Sequence, residues 1–503
     1  MIEHPSPRPW PMARPAGGES FYAVTATVLL MAVSALALAY LPLAAATFLL
    51  AGVLVALLTL VKIEFACYLL AFAVPFGSLK QFPFGPLVFT VADLLVALLV
   101  VAWTAQTVAQ KRNRVEKGPL FLPIVLFLLA QTLSLLDAAF IAGSAKEMAK
   151  WLEFAVVYLV AINTLSAEQI KRVVVCLLLA GIAQGLQGWA QFFLRLGPPS
   201  FQIGERFLRA YGTFNQPNPY GGFLNLTLPV AYSLLVWGNL KPETLSPPGL
   251  RRYLPGFARS WTLLQVICAT ALGIMGAALL MTLSRGAWLG FAVAFVAMHV
   301  LESRRSLAIF ALVSLLVAAV LFLGVSNLLP ATLVARAETI AGDFGVFDAR
   351  TVKVTDENWA VVERMAHWQA ALGMLAASPI TGVGIGNYEA AYPAYALPGW
   401  EDPLGHAHNY YLNIAAETGL VGLGAYLALL ATAFGLCWWA QRRSVSSFAR
   451  ALAVGTLGAL VAQSTHNLFD NLWVHGMWTY AGLLLGMVHA AQGHHEKPGG
   501  DFD

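Results

Sequence analysis

Long apolar runs recur along nearly the whole chain, separated by short polar stretches. They fall at 21–41, 43–61, 64–78, 88–108, 119–137, 151–167, 172–193, 221–238, 262–282, 286–301, 306–326, 412–439, 450–466 and 473–491. Most are close to the ~20 residues that cross a bilayer as helix. The 64–78 run is short and also suits a re-entrant or interfacial segment. The pattern predicts an all-α polytopic membrane protein with about 12–14 transmembrane helices. The longest polar stretch, 327–411, separates the eleventh run from the twelfth, and long loops in compact proteins tend to carry function. The chain thus divides into a leader at 1–20, an N-terminal helix bundle at 21–326, a loop with short helices at 327–411, C-terminal helices at 412–491 and a tail at 492–503.

Composition narrows the class. Of 503 residues, 58% are hydrophobic and 11% are charged, against about 25% charged in an ordinary soluble domain. So little charge cannot cover a water-soluble globule. This excludes a soluble enzyme, a nucleic-acid module and a secreted disulfide scaffold; membrane lipids are the expected surroundings, with no nucleic-acid partner. The net charge of +4 says little beside its distribution. With the N-terminus inside, the clusters Lys111-Arg112-Asn113-Arg114, Lys171-Arg172, Arg251-Arg252, Arg304-Arg305 and Arg442-Arg443 all fall inside. By this assignment 19 of the 30 Lys and Arg are inside and 11 outside. That bias predicts that both termini are cytoplasmic. The 194–220 loop, the Ser284-Arg285-Gly286 turn and the 327–411 loop then face outside. The leader, with Arg8, Arg14 and several prolines, is no efficient signal peptide, since the run after it is long and no cleavage site follows. Cys67, Cys176, Cys268 and Cys437 all lie in apolar runs, too far apart for a metal or redox pattern, and read as buried filler.

Three parts of the long loop carry residues suited to chemistry. Asp356-Glu357 opens a helical stretch of about twenty residues, acidic at its positive end. Arg364 and Trp368, four apart, share a face of that helix. Pro379 ends it, and Thr381-Gly382-Val383-Gly384-Ile385-Gly386-Asn387 follows. No strand–helix–strand unit surrounds this glycine run, so a dinucleotide loop is set aside. The run suits backbone passing close to another surface or to a phosphate. His406-Ala407-His408-Asn409-Tyr410-Tyr411 then leads into the twelfth run.

Arg364 with Trp368, Pro379-Ile380-Thr381-Gly382-Val383-Gly384, His408-Asn409 and Glu417-Thr418-Gly419 together resemble the O-antigen ligase/polymerase superfamily. Ser284-Arg285-Gly286-Ala287-Trp288 and Gly212-Thr213-Phe214-Asn215-Gln216-Pro217-Asn218 match two further elements, in the same order. The resemblance covers about 200–480. It implies a membrane-embedded glycosyltransferase that takes a glycan from undecaprenyl diphosphate. The glycan passes, with inversion at the anomeric carbon, to an acceptor hydroxyl on the outer side of the inner membrane. A ligase would use a lipid A-core sugar, a polymerase the next lipid-linked unit, and a related oligosaccharyltransferase a protein Ser or Thr. These motifs serve the shared donor half, and the ligase-like reaction is the expectation carried forward.

Physical chemistry agrees with that expectation. A diphosphate leaving group needs its charge stabilised as the glycosidic bond breaks, and arginine is always charged and fork-shaped. Arg285 sits where a span emerges, and Arg364 can approach it from the loop helix; both are expected to be catalytic. His408 is the expected base for the acceptor hydroxyl, with His406 the alternative at the same site. Arg206 and Arg209 could grip a further phosphate or sugar, and Asn218, Trp368, His406 and Asn409 are counted with them as substrate-binding. Tyr388, Tyr392, Trp400, Tyr410 and Tyr411 could stack on sugar rings. Each residue also has a plain structural reading. Arg285 can snorkel to the interface, Arg364 can be a solvated charge, and the aromatics can form an interfacial belt. His466, Asp470 and His475 read as a polar cap at a span end.

No metal and no cofactor are expected, because His406 and His408 have no third ligand nearby in sequence. Metal-dependent chemistry would fall to Glu401-Asp402. A secondary transporter is the non-enzyme rival, but it should carry ionisable residues at mid-span or paired broken helices. Most spans here are bare of charge.

Overall fold

The computed structural model describes every residue except 1–38, 41, 86, 112–113, 204–206, 240–261, 304, 309–310, 313–314, 316–346, 356–357 and 494–503. The expected leader, most of the first and eleventh runs, the 327–346 part of the long loop, Arg206, Arg251-Arg252, Asp356-Glu357 and nearly all of the tail lie outside the described residues.

The chain forms two compact units, residues 1–62 and 63–503. The first contributes α1 (Leu43–Val61). The second begins with α2 (Glu64–Phe76), a short antiparallel hairpin of β1 (Gln81–Phe84) and β2 (Leu87–Thr90), and α3 (Val91–Ala109). Then come α4 (Phe121–Ser134), α5 (Ile141–Thr164), α6 (Ala167–Leu194), the two-residue strands β3 (Gln202–Ile203) and β4 (Phe207–Leu208), α7 (Pro217–Trp237), α8 (Leu263–Met281) and α9 (Arg285–Glu302). After these follow α10 (Trp359–Ala377), a single turn α11 (Tyr388–Ala391), α12 (Tyr410–Arg443), α13 (Ser447–His466) and α14 (Met477–Gly493). The structure is mostly helical, as the apolar runs predict. Among the described residues, α3, α6, α8, α9 and α12 are long and apolar enough to cross a membrane.

Hydropathy alone misplaces the start of α5. The sixth run begins at Trp151, but α5 starts ten residues earlier and takes Lys146, Glu147 and Lys150 into the helix. An apolar window cannot see those charged turns, whereas Lys150 pairs with Glu147 at 2.5 Å one turn away.

The helices α7, α13 and α14 are the most enclosed in the second unit. Screened from lipid, they tolerate small and polar residues. Ser233 Oγ donates to Ala451 O at 2.8 Å, and Asn225 Nδ2 to Ala287 O at 2.9 Å. Glycines bring the backbones close: Gly482 and Gly486, one turn apart on α14, lie directly on Phe154 and Ala161 of α5. This is the small-residue packing that replaces hydrophobic driving force between helices in lipid.

Helix direction alternates, so one end of this unit gathers the C-termini of α2, α4, α6, α8 and α13 with the N-termini of α3, α5, α7, α9, α12 and α14. The opposite end carries Lys111 and Arg114, Lys171 and Arg172, and Arg442 and Arg443.

The glycine run docks at the first of these ends and breaks a helix. Within α12, Gly419 has φ +64° and ψ −169°, so the helix stops at Thr418 and restarts. Carbonyls freed by the break find partners in the run: Val383 N–H bonds Ala416 O and Gly384 N–H bonds Glu417 O, both at 2.9 Å. Leu420 N–H bonds Pro379 O at 2.9 Å, and Glu417 Oε1 accepts from Tyr388 N–H at 3.0 Å. A side chain at Gly382 would run into Ala416 and Glu417, and one at Gly419 into Ile380. Backbone meets backbone here. Gly419→Ala adds both a backbone penalty of about 1–3 kcal/mol, since this positive-φ, extended-ψ conformation is nearly confined to glycine, and this clash. We expect it to lower the melting temperature in detergent by several degrees; an unchanged melt would contradict the docking.

Candidate functional site

Two glutamines of α6 build the first wall. Gln191 Oε1 accepts from the N–H groups of Tyr211 and Gly212 at 3.0 and 2.7 Å, and Gln184 Oε1 from Thr213 at 3.2 Å. Ala210 N–H bonds Met281 O at 2.9 Å, laying the segment across the end of α8. Arg209 is thereby held, Nε donating to Thr282 O at 2.9 Å and Nη2 to Asn218 Oδ1 at 3.2 Å. Asn218 stands in the first turn of α7. Its Oδ1 also accepts from Ser284 Oγ at 2.9 Å, and its Nδ2 donates to Asp470 Oδ2 at 2.8 Å. With both halves of its amide engaged, Asn218 ties Arg209, Ser284 and Asp470 together. Ser284 also caps α9 by accepting from Ala287 N–H. Arg285 is the first residue of that helix, and Gly286 lies directly against the His466 ring.

The second wall comes from α10, which presents Arg364, His367 and Trp368 at helical spacing on one face. His367 is buried and stacks on Tyr392 with ring centroids 4.7 Å apart; its Nδ1 lies 3.1 Å from Tyr388 Oη. Its ring meets His408 edge-on at 5.5 Å. Trp368 Nε1 donates a long 3.4 Å bond to His408 O. Asn409 is the cap of α12, its Oδ1 accepting from Tyr411 and Leu412 N–H at 3.0 and 3.1 Å. His408 just before it has φ +52°, a left-handed conformation that is uncommon outside glycine and is imposed here by the bends around it.

His406, His408 and Asp470 meet at the centre. His408 N–H donates to His406 Nδ1 at 3.0 Å. That nitrogen is therefore an acceptor, and the neutral ring carries its proton on Nε2, which faces Asp470 Oδ1 at 3.8 Å. His408 Nδ1 lies 4.0 Å from the same oxygen. The other nitrogen, His408 Nε2, is buried and has no hydrogen-bond partner among the described residues. Burial pushes the His408 imidazole well below its ordinary value of about 6.5, with His406 adding to the effect and Asp470 opposing it. Burial likewise pushes His406 down, against Asp470, and brings His367 to about 4, with His406 adding to it. For Asp470, burial opposes the charge, but His406, His408, His466 and Arg364 more than offset this and hold its carboxyl below the usual carboxylate range. The Arg364 charge thus acts on His406, His408 and Asp470 alike. Asp470 is thus held ionised beside histidines held neutral, and His408 Nε2 is a buried ring nitrogen left without a partner among the described residues.

The fold gathers Arg209, Asn218, Arg364, Trp368, His406, His408 and Asn409 around this centre, and the backbone of Arg285 beside it. Asn409 uses its Oδ1 to cap α12, and Asn218 engages both halves of its amide within the fold. Tyr388, Tyr392 and Tyr410 are buried in packing, which corrects the expectation that they offer faces to a sugar. Glu401 Oε1 accepts from Gly399 N–H and Asp402 Oδ1 from Leu404 N–H, so each exposed carboxylate turns back on its own loop. The third partner absent from the sequence neighbourhood of the histidines is Asp470. Among the described residues, His406, His408 and Asp470 form a group whose ligand atoms all lie within 4.8 Å of one another, a spacing that could hold a metal ion.

Residues 270–427 match the family described as O-Antigen ligase. Over that segment the chain is similar to the O-antigen ligase family. The matched segment contains Arg285, Arg364, Trp368, the glycine run, both site histidines and the break at Gly419. Arg209, Asn218, His466 and Asp470, which complete the centre, lie outside it. No curated protein matches the chain.

Proposed function

We propose that this protein transfers a glycan from undecaprenyl diphosphate to an acceptor hydroxyl at the outer face of the inner membrane, as an O-antigen ligase does. The observation that carries the reading is the buried, unpartnered His408 Nε2 beside ionised Asp470 and within the field of Arg364. The acceptor oxygen attacks the anomeric carbon from the face opposite the diphosphate, so configuration inverts. As that bond forms, the bond from carbon to diphosphate oxygen breaks, and the electron pair leaves with the diphosphate. The acceptor proton passes to His408 Nε2, and Asp470 stabilises the imidazolium. Arg285 and Arg364 hold the growing charge on the leaving group. The basic pairs at the opposite end of the bundle support cytoplasmic termini and an outward-facing site.

Each arginine contributes about 3 kcal/mol to the transition state by analogy with other preorganised donors. Arg285→Ala and Arg364→Ala should therefore each lower transfer by about 10²-fold, and lysine at either position should restore only part of it, since an ammonium lacks the fork. Single-turnover transfer in proteoliposomes measures this.

The reaction class is tested with labelled undecaprenyl-diphosphate glycan in liposomes, acceptors being added singly. Label moving to lipid A-core identifies a ligase. A ladder lengthening on the lipid identifies a polymerase, and label on protein Ser or Thr an oligosaccharyltransferase. A second reading, metal-assisted transfer, draws on the His406–His408–Asp470 group. A chelator arm separates the two: our mechanism predicts full activity in its presence. Label that never moves with any acceptor contradicts the reading and reopens transport.

A further inference from the structure

A mostly apolar cavity with charged groups on its wall lies at the same end of the bundle. It measures about 390 Å³ and lies between the β1–β2 hairpin, α3, α5 and the start of α14, within the range of small-ligand sites of about 300–1,000 Å³. Three kinds of side chain line it. Lys146 and Lys150, one turn apart on α5, bring two positive charges, and both act on His475 across the cavity. Asp93 and Glu153 bring two carboxyl groups, the second accepting from Trp478 Nε1 at 2.6 Å. Phe89 and Trp478 supply aromatic surface.

Charge in so apolar a protein needs a reason. Lys150 is only 8% exposed. Its Nζ is held by Glu147 at 2.5 Å and by Trp473 O at 3.2 Å, and lies 5.2 Å from the Trp478 ring centre. Lys146 is exposed and makes no ion pair among the described residues. The cavity therefore joins an ammonium that makes no ion pair among the described residues to carboxyl acceptors and to aromatic surface. A sugar ring needs acceptors for its hydroxyls and an apolar face to lie on; an attached phosphate or carboxylate needs the ammonium. The segment 467–476 links the two sites, carrying Asp470 at one end and His475 at the other, and the Lys150 charge reaches His406.

We propose that this cavity is the acceptor subsite and binds an anionic sugar, a hexose-sized ring bearing phosphate or carboxylate. The assignment rests on the transferase reading above for its place in the reaction, but binding is measurable without transfer. The probe is glucose 6-phosphate, titrated by calorimetry against the full chain in nanodiscs of neutral phosphatidylcholine, beside glucose alone and inorganic phosphate alone. We expect the sugar phosphate to bind at least tenfold tighter than either part. Lys146→Glu, on an exposed side chain, should weaken it tenfold or more, and Trp478→Leu should weaken glucose and glucose 6-phosphate alike. Nanodiscs containing phosphatidylglycerol form a further arm. If they displace the sugar phosphate while glucose adds nothing to phosphate, the cavity holds a lipid headgroup and the acceptor assignment is overturned. Binding indifferent to Lys146→Glu overturns it as well. In the liposome assay, Lys146→Glu should raise the acceptor KM and leave that for the donor unchanged. An unchanged acceptor KM in an active enzyme overturns this subsite alone, whereas tight binding in a chain that never transfers overturns the transferase reading and leaves a sugar-phosphate site.

Discussion

Replacing His408 with alanine should lower single-turnover transfer by about 10²–10⁴-fold, the usual contribution of a positioned base, while the protein still inserts and melts as before. The side chain is partly buried and its Nε2 bonds to nothing among the described residues, so truncation leaves the surrounding hydrogen bonds in place. The backbone carries the local structure: His408 N–H reaches His406 Nδ1, and His408 O accepts from Trp368. A wild-type rate in the alanine variant would remove His408 from the chemistry and pass the role to His406.

Asp470→Asn should be nearly as severe, at about 10²-fold or more, since it removes a negative charge that faces both histidines and would stabilise an imidazolium. The substitution is close to isosteric, but Asp470 accepts from Asn218 Nδ2 at one oxygen and from Asn471 N–H at the other, so the new amide keeps only one of these bonds. The melt should therefore fall by a few degrees, while the rate falls far more than the lost fold stability explains. A rate within a few-fold of wild type would reduce Asp470 to the polar cap its sequence suggests.

That contrast shows where sequence reading stops. Arg285, Arg364 and the His406–His408 pair stand out because each adjoins strong punctuation: a span end, Pro379 with the glycine run, or the entry to a long helix. Asp470 gives no such sign. It reaches the histidines only because α12 and α13 form a hairpin whose return brings the α13 end back to the α12 start. The chain around Asp470 reads as the polar end of a span. His367 carried a usable signal, three residues after Arg364 on the same helix face, yet its burial under Tyr392 depends on the fold of the following loop. The glycine run was legible as a close backbone approach, but its docking surface, the break at Gly419, depends on two distant segments meeting. Most helices were legible from apolar length. The start of α5 was not, because its first turns are charged and gain their stability from a helical ion pair and from contacts at the end of the bundle.

The pH dependence of transfer tests the central claim most directly. His408 acts only when neutral, and burial holds its proton affinity below the ordinary value. Single-turnover rates in proteoliposomes should stay level from pH 8 down through about 6.5, where an exposed imidazole would be half protonated, and should fall only in distinctly more acidic buffer. The His408→Ala variant should be slow throughout and lack that acidic fall. A wild-type rate already halved near pH 6.5 would contradict a buried base, and a His408→Ala profile that overlays wild type would contradict the mechanism itself.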